Sequence, residues 1–225
     1  MSVPNFFLLT AALINLVMSA FLFFWPSVGK TRSVFSLALL FTALWAFSTF
    51  YFRVSSDSFT LLLLPRLTDI FALCILVSLL FFNKYYPFYE KLRNIDIFLI
   101  LCSGIFSIFI LTFPEYISQP VHYGDWSAVS THTAAYAVFA MLIASLSVRC
   151  IFHLLRSFRL TSGSQKYQVL LVLIGVLFSL TLAFIFSVIS LLINEKFFYL
   201  YFAWIGPTSS LLMNAIIFSI LYKRD

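Results

Sequence analysis

Apolar runs of about 20 residues, each closed by a short polar cluster, succeed one another along the whole chain. They cover Asn5–Trp25, Ser33–Phe52, Thr60–Phe82, Ile95–Phe113, Thr131–Phe152, Tyr167–Ile193 and Phe197–Tyr222. A helix rises about 1.5 Å per residue, so each run is long enough to cross a hydrocarbon core of roughly 30 Å. The pattern therefore predicts an all-α polytopic membrane protein, a bundle of seven transmembrane helices forming one domain over residues 1–225. A membrane β-barrel would show alternating segments of about 10 residues, and this chain shows no such alternation. No Lys or Arg precedes the first run and a basic loop follows it, so it reads as a retained helix rather than a cleaved signal peptide.

Composition leaves little room for a water-soluble alternative. Apolar residues make up 62% of the chain and charged residues 10%, against roughly 45–50% and 25% in soluble domains. The formal charge of +6 is spread through the short loops and forms no single basic face, which argues against nucleic acid as a partner. Lys30, Arg32, Lys84, Lys91, Arg93, Arg149, Arg156, Arg159, Lys166, Lys223 and Arg224 share one side of the predicted topology. Arg53 and Lys196 lie on the other, with Asp57, Glu115, Asp125 and Glu195. Positively charged short loops stay in the cytoplasm, so the expected orientation is N-terminus outside and C-terminus cytoplasmic, in a cell inner (plasma) membrane. Cys74, Cys102 and Cys150 lie in or beside apolar runs with no CxxC spacing, as packing residues do.

The chemistry that stands out lies inside the spans. Arg66 and Asp69 are three residues apart on the third span, the spacing of neighbours on one helix face. Intramembrane charge is costly and usually faces a bundle interior or a hydrated cavity. The pair is thus a candidate ligand site, with Arg66 meeting an anionic group and Asp69 orienting it; the alternative is a structural ion pair. Trp45 and Trp204, at comparable depth, are candidates to wall the same pocket, against ordinary packing. Gly206 and Pro207 are placed to bend the seventh span, as a hinge or as a static kink. Between the fourth and fifth spans, residues 114–130 form the polar outer loop, with Glu115, Tyr116, Gln119, His122, Tyr123, Asp125 and Trp126. His122, Asp125 and His132 match no tight metal spacing, and neither a metal nor a cofactor is expected. The basic loops around Lys84–Arg93 and Arg149–Lys166 hold no nucleophile or acid–base arrangement of recognisable spacing, so no enzymatic activity is expected. Topology and the anionic head groups of the inner leaflet explain their charge. No lysine occupies the seventh span, which excludes a retinal Schiff base there.

Arg32 with Phe35, Ala43-Leu44-Trp45, Arg66, the Gln165 to Gln168 stretch, Gly175, Gly206-Pro207 and the basic end Tyr222-Lys223-Arg224 carry a resemblance over nearly the whole chain. The pattern resembles the seven-helix N-terminal sensory region of bacterial membrane histidine kinases. What the resemblance implies is a receptor domain that passes a small-molecule or lipid signal to a cytoplasmic output domain or partner of a two-component system. Membrane lipids are expected partners and homodimerisation is left open. A small transporter or channel subunit is the alternative, since it also accounts for intramembrane charge. No Gly/Pro-broken pair of helices in matching halves supports that alternative.

Overall fold

The computed structural model of the chain describes residues 2–25, 29–123, 126–131, 133–189 and 204–222. Within them the helices are α1 (Val3–Phe23), α2 (Lys30–Val54), α3 (Ser58–Tyr85), α4 (Asn94–Thr112), α5 (Thr133–Leu160), α6 (Gly163–Ala183) and α7 (Ile205–Tyr222). All seven are long and apolar enough to cross a membrane. Each predicted run contains or overlaps one of them, with two informative differences. α5 does not stop at Phe152 but continues to Leu160, carrying His153 and Arg156 on the helix itself. α6 ends in a π-helical turn, Phe184–Ile189.

The loop between α4 and α5 is not irregular. A 3-10 turn, Pro114–Tyr116, leads into an antiparallel hairpin of β1 (Ile117–Tyr123) and β2 (Trp126–Thr131), with Tyr123 opposite Trp126 and Ile117 opposite Thr131. The bundle is all-helical as expected, and the hairpin lies only in the connection between α4 and α5. The pairing register slips between Ser118 and Val121, where Pro120 has no N–H to give to the ladder. One end of the bundle is therefore the hairpin end, and the other, where Lys84 and Arg149 lie, is the basic end.

Local sequence explains several helix ends. The Asp57 carboxylate caps α3 by accepting from the Thr60 N–H at 2.9 Å and the Thr60 hydroxyl at 2.8 Å. These donors hold its carboxyl below the ordinary carboxylate range. Gly163 opens α6 at φ 58°, a left-handed conformation that costs an L side chain about 1–2 kcal/mol.

Side-chain amides and hydroxyls pin the helices together where lipid offers no hydrophobic drive. The fully buried Asn214 donates to Asn15 at 2.7 Å, joining α7 to α1. Ser19 and Ser36 exchange hydroxyl-to-carbonyl hydrogen bonds of 2.8 and 2.9 Å between α1 and α2. The Arg32 guanidinium donates to the Leu221 carbonyl at 2.9 Å, placing a cation on the last turn of α7, where the helix dipole favours one. α4 is the least enclosed span. Its buried residues, Asp96, Leu99, Ser103, Phe106 and Ile110, form a single stripe at alternating three- and four-residue spacing. The rest of α4 is exposed, as at Ile105 and Ile108.

Candidate functional site

Polar chemistry gathers at two levels of α3, around Asp69 and around Lys84, and the two are built differently. At the hairpin end, Asp69 accepts a 2.7 Å hydrogen bond from the Tyr116 hydroxyl. Tyr116 closes the 3-10 turn and is fully buried, so this contact latches the hairpin segment to the third span. Its ring meets the edge of Phe106 on α4 at 6.3 Å. The neighbouring Thr68 hydroxyl bonds the Leu64 carbonyl at 2.8 Å and lies 3.0 Å from Ser48 on α2. The sequence couples Asp69 to Arg66; the structure gives the carboxylate a tyrosine instead. Spacing along one helix shows which residues are neighbours, but a partner from a distant turn is invisible to it.

Arg66 is partly exposed and follows Pro65, the proline inside α3. Trp45 lies in the main core at 9% exposure. Trp204 stacks on Phe7 of α1, with rings 5.6 Å apart and 15° from parallel. Gly206 and Pro207 are the second and third residues of α7 (Ile205–Tyr222). Both are buried. Residues 197–203 of the expected span, together with Asp125, His132, Lys223 and Arg224, are outside the described residues.

At the basic end the structure assembles a cluster that the sequence reading had divided between two loops. Asp96 is fully buried in the first turn of α4. One of its oxygens accepts from the Arg93 backbone N–H at 2.9 Å, capping the helix where the dipole favours an anion. The Lys84 ammonium of α3, itself 2% exposed, pairs with the same carboxylate at 2.9 Å. The Arg149 guanidinium of α5 donates to its other oxygen. His153, one turn further along α5, lies between two carboxylates, with Nε2 3.5 Å from Asp96 and Nδ1 3.7 Å from Glu90. Glu90 completes the group, 3.4 Å from Arg156 and 3.9 Å from Lys84. Asn83 donates to the Cys150 carbonyl at 3.3 Å, so α3 and α5 are also joined directly.

Three cations and two carboxylates thus surround one imidazole, tying α3, α4 and α5 together. Among the described residues no three or more His, Cys, Asp and Glu side chains are arranged to hold a metal ion. Between Glu90, Asp96 and His153 the positive charge comes from Lys84 and Arg149. The continuation of α5 past Phe152, which the apolar pattern does not show, turns Arg149, His153 and Arg156 into successive positions of one helix face.

No protein-family description matches the chain, and no curated protein sequence matches it. Function is therefore argued from the geometry.

Proposed function

We propose that the chain is a non-enzymatic signal-sensing domain embedded in a bacterial inner membrane, with its hairpin end outside and its basic end toward the cytoplasm. The observation that carries this reading is the span of α3. One continuous helix holds Asp69, bonded to the hairpin segment through Tyr116, and Lys84, bonded into the buried charge cluster. The two residues are 15 positions apart on it, about 22 Å at 1.5 Å per residue. A ligand that favours one arrangement of the Tyr116 segment biases α3, and with it the packing of Lys84 against α4 and α5. Arg66, Trp45 and Trp204 are the further residues proposed to meet the signal, and Gly206-Pro207 the point at which α7 pivots. The output partner is a cytoplasmic signalling domain of the histidine-kinase type.

Hydrogen exchange of the purified protein in nanodiscs tests the coupling. Tyr116→Phe frees the latch without removing the ring. The expected result is altered protection both in residues 114–123 and in residues 84–96; a change confined to the hairpin sinks the reading. Transport is the competing outcome: substrate flux in liposomes that is abolished by Arg66→Ala would replace sensing with carriage.

A further inference from the structure

His153 faces more acceptors than a neutral ring can serve. Its imidazole is buried on α5 between two carboxylates, with Nε2 3.5 Å from Asp96 and Nδ1 3.7 Å from Glu90. Both separations exceed an ordinary hydrogen bond of about 2.7–3.2 Å, and among the described residues Nε2 has no hydrogen-bond partner. A carboxylate only accepts, whereas a neutral imidazole offers one N–H and one lone pair. One ring nitrogen therefore turns a lone pair toward a carboxylate oxygen. An imidazolium has two N–H donors, and an acceptor stands beside each of its nitrogens.

The two carboxylates differ in how firmly they are held. Asp96 is fully buried and fixed by the Arg93 N–H, Lys84 and Arg149. Glu90 is partly exposed in the connection 86–93 between α3 and α4, and its side chain makes only long contacts among the described residues. They are 3.4 Å to Arg156, 3.7 Å to His153 and 3.9 Å to Lys84. Its backbone is anchored, since the Glu90 N–H donates to the Lys84 carbonyl at 2.7 Å and the Lys84 ammonium donates to the Lys91 carbonyl at 3.3 Å. The connection is thus kept within reach of α5 while the Glu90 carboxylate is shared among three partners.

Charge reaches the ring from each element around it. α3 supplies Lys84, the connection Glu90, α4 Asp96, and α5 itself Arg149 and Arg156. The Cys150 thiol, one turn earlier on α5, is directed to the Leu76 carbonyl, and Lys166 of α6 lies over the Phe158 ring at 4.8 Å. Two carboxylates favour a proton on the imidazole and three cations oppose it.

We propose that His153 is a proton-operated latch at the basic end of the bundle. Uptake of one proton from the medium lets the imidazolium donate to Asp96 and Glu90 together. The Glu90 carboxylate is then drawn off Arg156 toward the ring, the connection 86–93 tightens, and the half-exposed Arg156 guanidinium is released. Loss of the proton returns Glu90 to Arg156, the arrangement seen here. The latch goes beyond the sensing reading and does not need it, because no step in it involves Tyr116 or a ligand at the hairpin end.

The chain has three histidines, so His122→Gln with His132→Gln leaves His153 as the sole imidazole without altering the cluster. In nanodiscs of this background, the ring signal is followed by NMR over about pH 5–8, where histidine changes charge. Hydrogen exchange of residues 86–93, corrected for the intrinsic rate, is measured at the same points. A single titration step is expected, with exchange about tenfold slower on its acid side and the two midpoints coincident. Glu90→Ala, at a partly exposed position, is expected to keep the titration of the ring and lose the slowing. His153→Gln is expected to hold exchange level across the range. A ring that does not titrate there, exchange that stays level while the ring titrates, or slowing that survives Glu90→Ala would overturn the proposal. These three readings come from the background protein and the Glu90 variant, so a His153→Gln chain that fails to fold leaves the test intact.

Discussion

The Arg149 guanidinium meets the fully buried Asp96 carboxylate, and this contact holds α5 to α4 at one end of a pair of helices that stands apart at the other. Removing one partner of a buried pair leaves the other charge uncompensated, which costs about 3–5 kcal/mol. Asp96 serves Lys84, Arg149 and the Arg93 N–H together. Asp96→Ala is therefore expected to lower thermal stability by at least that much in detergent. Pairing it with Lys84→Met and Arg149→Met should restore most of the loss, because the stranded cations go with it. If the triple variant is no better than Asp96→Ala alone, the cluster's value lies in geometry and not in charge balance.

The Tyr116 hydroxyl is the second point where one atom carries a long-range contact. Tyr116→Phe leaves the Asp69 carboxylate without its 2.7 Å donor, and the expected loss is about 1–3 kcal/mol. Asp69→Asn keeps a carbonyl to accept the bond and should lose less. Chemical denaturation of the three proteins, compared at one detergent concentration, checks the ranking.

Gly175 lets α6 approach α7 closely. A Cβ built there would lie 3.3 Å from the Met213 Cα and 3.3 Å from the Ile216 Cδ1. The isoleucine tip can move, but the methionine backbone cannot without shifting α7. Helix propensity favours Gly175→Ala by about 0.5–1 kcal/mol, whereas overpacking costs about 1–3 kcal/mol. A net loss of about 1 kcal/mol is expected, larger for Gly175→Leu, read as a lower midpoint of thermal unfolding. A stabilised alanine variant would show that α7 slides freely.

Asp57 makes the stability of α3 depend on acid. Its folded pKa is depressed by the Thr60 N–H and then by the Thr60 hydroxyl. The stabilisation is thus complete above the unfolded value and fades as the pH falls through the folded one. In melting experiments the advantage of wild type over Asp57→Ala should shrink as the pH drops below about 4. Asp57→Asn, which caps without a charge, should hold a constant advantage over alanine across that range.

Span-length hydrophobicity announced the helices because every backbone group in lipid must be satisfied within its own segment, which leaves a long regular signature. The long-range contacts were another matter. Lys84 and Arg149 read as topology signals, since charge near a span end looks the same whether it faces head groups or a buried carboxylate. Asp96, one acidic residue at the head of a very apolar run, is the partner that joins them, and the sequence reading passes over it. Arg66 drew attention as the cation inside a span, yet Tyr116 is the residue the structure gives to Asp69. Pro207 is the conspicuous proline of the seventh span and lies near the start of α7, whereas Pro65 sits inside α3. Alternation in the hairpin was short and interrupted by Pro120, so it did not rise above a polar loop.

The position of the charge cluster also fixes the order in which the molecule can be made. Synthesis runs from the N-terminus, so Lys84 and Asp96 exist together before Arg149 and His153 have left the ribosome. Their 2.9 Å pair lets the α3–α4 segment enter lipid with its two innermost charges cancelled. When α5 follows, its arginine and histidine arrive at a carboxylate already oriented by the Arg93 N–H. A chain with Asp96 removed would present Lys84 bare to the membrane at the earlier stage, so a lower yield in the bilayer should accompany the lower melting point of the protein that does insert.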